Sequence, residues 1–291
     1  MSFAVNLVRK TLPRGYLQAG IHTTGCKQLF WEKDMKGGYG KPSKVGWAQI
    51  VKEGFKELKT EFKLFTQEVK EKFVADPILA YPPGVVDKIW TIREQNDLDT
   101  WITTCDSDHG EGFSSCSLIL NNGHGLFSGN LSTDFPKDGK IKRSGYCTVR
   151  TKRMRKSFKR DAYLDWNPYN HLVLRVRGDG RSYMLNISTC GIFDQMWNDV
   201  YHYILFTRGG PYWQIVKIPF SKFFLSSKGR IQDIQSEMPL GNISHFGITA
   251  ADKVNGPFSL EIDYIGLENV PSHEETTAYE MYKTYKNIAA N

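Results

Sequence analysis

Two segments with strict period-2 patterning constrain this chain more than any other feature. In His171–Ser188 (HLVLRVRGDGRSYMLNIS), Leu172, Leu174 and Val176 alternate with Val173, Arg175 and Arg177. After Gly178-Asp179-Gly180 the alternation resumes with Tyr183, Leu185 and Ile187. Apolar alternation on both sides of a short glycine turn predicts a β-hairpin. In Pro257–Leu267 (PFSLEIDYIGL), Phe258, Leu260, Ile262 and Tyr264 occupy one face, while Ser259, Glu261 and Asp263 occupy the other. That is the pattern of a half-buried antiparallel strand.

The same reading extends over most of the chain. Strands are expected at 88–93, 99–104, 113–120, 125–131, 145–151, 171–177, 182–188, 202–206, 212–218, 243–249 and 257–265, with Gly, Pro, Asn and Asp between them. Many short strands without βαβ alternation predict an antiparallel sandwich or barrel. With 291 residues, 40% of them hydrophobic, the chain is large enough for one sizeable β domain plus appendages. It contains no apolar run of about 18 residues, the length a membrane-spanning helix requires.

Several pieces occur in a recognisable order: Trp101 before Cys105-Asp106-Ser107-Asp108, then GLFSGNL at 125–131, RGDGRSY at 177–183, WQIVKIPF at 213–220 and GPFSLEIDYIG at 256–266. Over roughly Ile89–Leu267 the chain resembles the complex I intermediate-associated protein family, assembly factors of mitochondrial respiratory complex I. The resemblance implies an all-β antiparallel jelly-roll sandwich like the galactose-binding domains, to which the residues outside it add N-terminal and C-terminal helical appendages. It also implies a non-catalytic, chaperone-like scaffold in the mitochondrial matrix, associated with the inner membrane. Such a protein helps to build the membrane arm beside other assembly factors, among them an acyl-CoA dehydrogenase-like protein. A carbohydrate- or small-ligand-binding sandwich module is the alternative that the same fold suggests.

The flanks are organised differently. Residues 1–31 hold Arg9, Lys10, Arg14 and Lys27 and no acid, with Phe3, Leu7 and Val8 able to share a helical face. This acid-poor amphipathic composition predicts a mitochondrial transit segment. Without it, 34 basic residues face 31 acidic ones, so the net charge of +7 falls to +3. That is too small to mark a nucleic-acid footprint. Residues 32–84 comprise a Gly/Lys-rich connector and an amphipathic helix at about 44–74. There Trp47, Val51, Phe55, Leu58, Phe62, Phe65, Val69 and Phe73 recur at steps of three or four before Asp76-Pro77. The helix either packs on its own β domain or docks against a partner or a membrane surface. The β domain is assigned to 85–270. For 271–291 a C-terminal helix is expected, from Ser272 and Glu275 in a capping-box spacing.

Candidate contact residues are Trp47, Phe55, Phe62 and Phe65 on the helix, and Lys152, Arg153, Arg155, Lys156, Lys159 and Arg160 in the run KRMRKSFKR. A basic run interleaved with Met154 and Phe158 suits an acidic protein surface or anionic lipid. Arg175, Arg177 and Arg181 have two readings, an acidic partner or pairing with internal carboxylates such as Glu261 and Asp263, and pairing is preferred. The loop Cys105–Gly112 (CDSDHGEG) opens like a calcium loop. Its twelfth position from Asp106 is Ser117 rather than a bidentate glutamate, so no metal site is read there. No nucleophile elbow, zinc-helix motif or phosphate-binding glycine loop is present. Neither a catalytic residue nor a cofactor is assigned. The five cysteines lack metal-like spacing and are expected as free thiols.

Overall fold

In a computed structural model, which describes residues 47–74, 81–134, 136–137, 139, 144–189, 199–227 and 229–279, the alternating segments become two antiparallel sheets. The transit segment 1–31, the connector 32–43 and most of the C-terminal helix expected at 271–291 lie outside the described residues. Those described fall into two units: 81–153 with 163–279 forms the sandwich, and 47–74 with 154–162 forms the other.

The strands of the sandwich are β1 (Val86–Thr91), β2 (Trp101–Cys105), β3 (Ser115–Asn121), β4 (His124–Leu131), β5 (Cys147–Thr151), β6 (His171–Gly178), β7 (Ser182–Thr189), β8 (Asp199–Phe206), β9 (Gln214–Pro219), β10 (Phe224–Ser227), β11 (Arg230–Ile231), β12 (Ile243–Ala250) and β13 (Gly256–Glu268). One sheet runs β3-β4-β13-β6-β9, with β1 also pairing β13. The other runs β11-β10-β8-β7-β12-β5-β2. The core lies between them. Leu172, Leu174 and Val176 of β6 and Phe258, Leu260 and Ile262 of β13 belong to the same buried cluster as Tyr183, Leu185 and Ile187 of β7 and Phe246 of β12. Trp90 stacks on Phe246 at 5.8 Å and meets Trp101 and Trp166 edge-on. Each such side chain contributes about 1.5–3 kcal/mol by leaving water. The antiparallel sandwich expected from the strand pattern and from the family resemblance is the fold that forms.

The hairpin expected at 171–188 does not form. β6 pairs with β13 and β9 in one sheet, whereas β7 pairs with β12 and β8 in the other. Both edges of β6 are taken by strands further along the chain, and those of β7 by the following strand β8 and by β12, so residues 178–181 are a corner between sheets. A corner whose two strands both face the core carries the same alternation as a hairpin. The close approach shows at Gly178, where a Cβ would lie 2.4 Å from the Cβ of Thr207, while Gly180 has φ +95°.

A second departure lies in β13. The register shifts between Ile262 and Tyr264, leaving Asp263 as the extra residue of a bulge. Tyr264 thereby pairs with Arg175 on the outer face, with the Lys88 ammonium 4.6 Å above its ring, rather than continuing the inward row. Ile265 and Leu267 resume the core.

Over the described part of the expected C-terminal helix, residues 271–279 form turns and bends instead. Tertiary bonds compete with the cap. The Ser221 hydroxyl donates to Glu275 at 2.9 Å, the Ala278 N–H to the Ser221 carbonyl, and the Tyr279 hydroxyl to the Lys222 carbonyl.

Candidate interaction surface

The helix, α1 (Trp47–Val74), forms because strong helix formers fill the positions between apolar residues spaced three and four apart. Most of that apolar stripe faces solvent. Phe55 is 70% exposed, Phe62 54%, Phe65 40% and Phe73 86%. Val51, Leu58 and Val69 continue the exposed row. Soluble chains rarely leave so large an apolar stripe open without a use for it.

One flank of α1 is covered by the chain itself. Leu64 and Glu61 are buried there. The Glu61 carboxylate accepts from the Phe158 backbone N–H at 2.6 Å and lies 3.6 Å from the Arg155 guanidinium. Glu68 accepts from the Ser157 N–H at 2.5 Å and from Arg160 at 2.6 Å. Burial pushes the Glu68 carboxyl up, but the Ser157 bonds and the Arg160 guanidinium outweigh it and hold its pKa below the ordinary value. Phe158 sits at φ +56°, a backbone region uncommon for a bulky residue. Its ring meets Phe62 edge-on at 5.5 Å and Phe65 at 5.8 Å.

Four of the candidate contact residues, Phe62, Phe65, Arg155 and Arg160, are thus gathered around Phe158, and Phe55 lies about two turns further up the same stripe. Lys156 is exposed. Lys152 and Arg153 belong to the sandwich unit, where the Lys152 N–H donates to the Thr100 carbonyl and Arg153 Nε to the Ser244 hydroxyl at 3.2 Å. The side chains of Trp47 and Lys159 lie outside the described residues. Glu61 and Glu68 belong to this surface without being among the candidate contact residues. Their spacing of seven on one helix flank, opposite arginines five apart in 152–160, was the available signal.

On the outer face of the sandwich the preferred pairing of the arginines forms. Arg177 bridges Glu261 at 2.5 Å, Arg175 and Arg93 both bind Asp263, and Arg181 lies 3.3 Å from Asp252. Lys217 bridges Glu268 in the same carpet. Trp213 lies across it, with the Arg175 and Arg177 guanidinium groups each 5.1 Å from its ring and His124 at 4.8 Å. The ring's neighbours are the protein's own side chains.

The Cys105–Gly112 loop is held by Asp106, which is fully buried. Its carboxylate accepts from the Ser114 N–H at 2.8 Å, the Ser114 hydroxyl at 3.0 Å and the Gly145 N–H at 2.8 Å. Gly112 is pressed against it, and a Cβ there would fall 2.2 Å from Asp106 Oδ2. Asp108 accepts from the Cys105 N–H at 3.1 Å. These carboxylates are spent on closing the turn. Cys105 and Cys147 face each other across β2 and β5, and they and Cys116 are free thiols. Thiol–thiol hydrogen bonding with Cys147 and burial push the Cys116 pKa up. Cys26 and Cys190 lie outside the described residues.

The family model for complex I intermediate-associated protein 30 matches residues 90–262. The chain is 55% identical over 281 residues to the Drosophila melanogaster protein named complex I intermediate-associated protein 30, mitochondrial, covering 94% of each. It is 50% identical over 194 residues to the Mus musculus protein of the same name, covering 66% of this chain and 59% of that one. Among solved structures it is similar to the family 11 carbohydrate-binding module of a Clostridium thermocellum cellulosomal cellulase. The identity is 16% and the TM-score 0.46, over 67% of this chain and 99% of the module.

Proposed function

Because the chain belongs to the complex I intermediate-associated protein 30 family, we propose that it is a non-catalytic assembly factor for mitochondrial respiratory complex I. In this reading residues 1–31 direct it to the matrix, where it works beside the inner membrane. It acts as a chaperone-like scaffold for the membrane arm through protein contacts, alongside other assembly factors including an acyl-CoA dehydrogenase-like protein.

The observation that carries the reading is the open phenylalanine stripe of α1. Phe55 and Phe73 are more than two-thirds exposed, while the sandwich core is closed. A stable protein that leaves such a stripe uncovered gains by burying it against something else, at roughly 25 cal/mol per Å2 of apolar surface. The sandwich supplies a rigid body and α1 the docking element.

The test is affinity purification of a tagged copy from gently solubilised mitochondria, followed by mass spectrometry. Membrane-arm subunits and an acyl-CoA dehydrogenase-like protein are expected with the wild type and lost with the double variant Phe62→Asp/Phe65→Asp, whose sandwich stays folded. Full recovery with that variant refutes α1 as the docking element. Absence of complex I components from the wild-type sample refutes the assembly role.

A further inference from the structure

Between Val51 and Val69 the charges beside the α1 stripe are segregated. With successive residues turned by about 100°, Lys52, Lys56, Lys59 and Lys63 fall on one flank of the stripe. Glu57, Glu61 and Glu68 fall on the other, where Phe158, Arg155 and Arg160 already engage Glu61 and Glu68. Only the lysine side of the seam is left for a partner to approach.

The stripe itself is narrow and regular. From Val51 through Phe55, Leu58, Phe62 and Phe65 to Val69 the steps alternate strictly four and three. That is the 3.5-residue repeat of a helix that packs along another helix. It spans about 27 Å at 1.5 Å per residue and stays within a sector of roughly 80°. A helix lying in a membrane interface carries a broader apolar face and a polar face rich in Lys and Arg. α1 instead holds six lysines and five glutamates. A second copy of the chain is also a poor occupant. Antiparallel pairing would set lysine flank against lysine flank, and parallel pairing would need the glutamate flank that residues 155–160 already cover.

We infer that the seam of α1 docks against an α-helix of a partner protein that carries an apolar stripe at matching 3.5-residue spacing and carboxylates opposite Lys52, Lys56, Lys59 and Lys63. This rests on the reading of α1 as the docking element and gives that element a partner chemistry and a side of approach. The loop at 154–162 acts as a built-in guide. By filling the glutamate flank it removes the orientation in which a basic helix would bind.

The test uses the full-length protein and two synthetic helical peptides with the same leucine stripe, one flanked by glutamate and the other by lysine. Zwitterionic vesicles and vesicles containing cardiolipin are measured in parallel. By fluorescence anisotropy the glutamate peptide should bind at least about tenfold more tightly than the lysine peptide, with the gap narrowing as salt screens the flank. Lys59→Glu/Lys63→Glu should reverse the preference, and Phe62→Asp/Phe65→Asp should abolish binding of both peptides. Equal binding of the two peptides overturns the inference. So does binding to cardiolipin vesicles alone, or concentration-dependent self-association that Lys59→Glu/Lys63→Glu leaves unchanged. If neither peptide binds but the phenylalanine variant still loses its mitochondrial partners, the charge-matched helix is refuted and the docking role stands. Unchanged partner recovery refutes the docking role itself.

Discussion

The backbone N–H of Phe158 donates to the carboxylate of Glu61, a residue 97 positions earlier in the chain, at 2.6 Å. A carboxylate buried to 5% exposure serves a turn whose central residue has positive φ. Glu61→Ala removes the acceptor from that amide and from Arg155, at a cost of about 1–3 kcal/mol confined to this unit. Hydrogen exchange at 154–162 should accelerate while amides of β6 and β13 keep their protection. Uniform acceleration across the sandwich would show that the contact is not local.

Asp106→Ala orphans the backbone N–H groups of Ser114 and Gly145 in a fully buried site, while the Ser114 hydroxyl keeps the Ser132 carbonyl at 3.1 Å. The expected loss is about 3 kcal/mol, read as a fall in melting temperature of roughly 6–12 °C. Gly112→Ala should act in the same direction, because its methyl group meets the same carboxylate. A melting temperature within about 1 °C of wild type for both variants, given the 2–4 °C per kcal/mol expected at this size, would refute the anchoring role.

Burial pushes His202 down to about 4, and burial with repulsion from Arg150 and Arg153 does the same at His245. An unfolded histidine titrates near 6.5. Between those values the unfolded chain binds more protons than the folded one, so stability is level above 6.5 and declines as the pH drops toward 4. By about pH 5 each histidine should have withdrawn about 2 kcal/mol. Melts of His202→Gln and His245→Gln should each show a shallower decline than wild type.

Asp263 binds Arg93 and Arg175, with His124 Nδ1 3.4 Å away. Asp263→Ala leaves two guanidinium groups beside one another with no shared anion. Both arginines are partly exposed, so the expected destabilisation is modest, about 1 kcal/mol, and should shrink as salt is raised. A loss that does not respond to salt would point instead to the bulge geometry.

Much of this was legible in the sequence, and the exceptions have physical causes. Alternation identified the inward rows Leu172, Leu174, Val176 and Tyr183, Leu185, Ile187, because a residue's face in a strand is fixed locally. Strand partners are not. The hairpin expected at 171–188 failed because β6 pairs with β9 and β13, far along the chain, while β7 joins the other sheet between β8 and β12. The bulge at Asp263 was equally hidden, since an extra residue in one strand shows only against its neighbour. β10 and β11 are short and lack alternation. At the interaction surface, the phenylalanine spacing announced the helix and the basic run announced a charged loop. That Glu61 and Glu68 would hold the second against the first shows only when their spacing on the helix is set beside that of Arg155 and Arg160 in the loop.

The position of β13 has a consequence for how the chain matures. This strand, the last among the described residues, is bonded to β1, β4 and β6 at once. Until residues 256–268 are available, β1 and the β3–β4 pair have nothing to join them to β6. Pairings this distant in sequence form slowly, because loop closure must be met before contacts repay it. In a polypeptide threaded N-terminus first, the seven-stranded sheet can therefore close before its neighbour, and the sandwich locks only when β13 arrives.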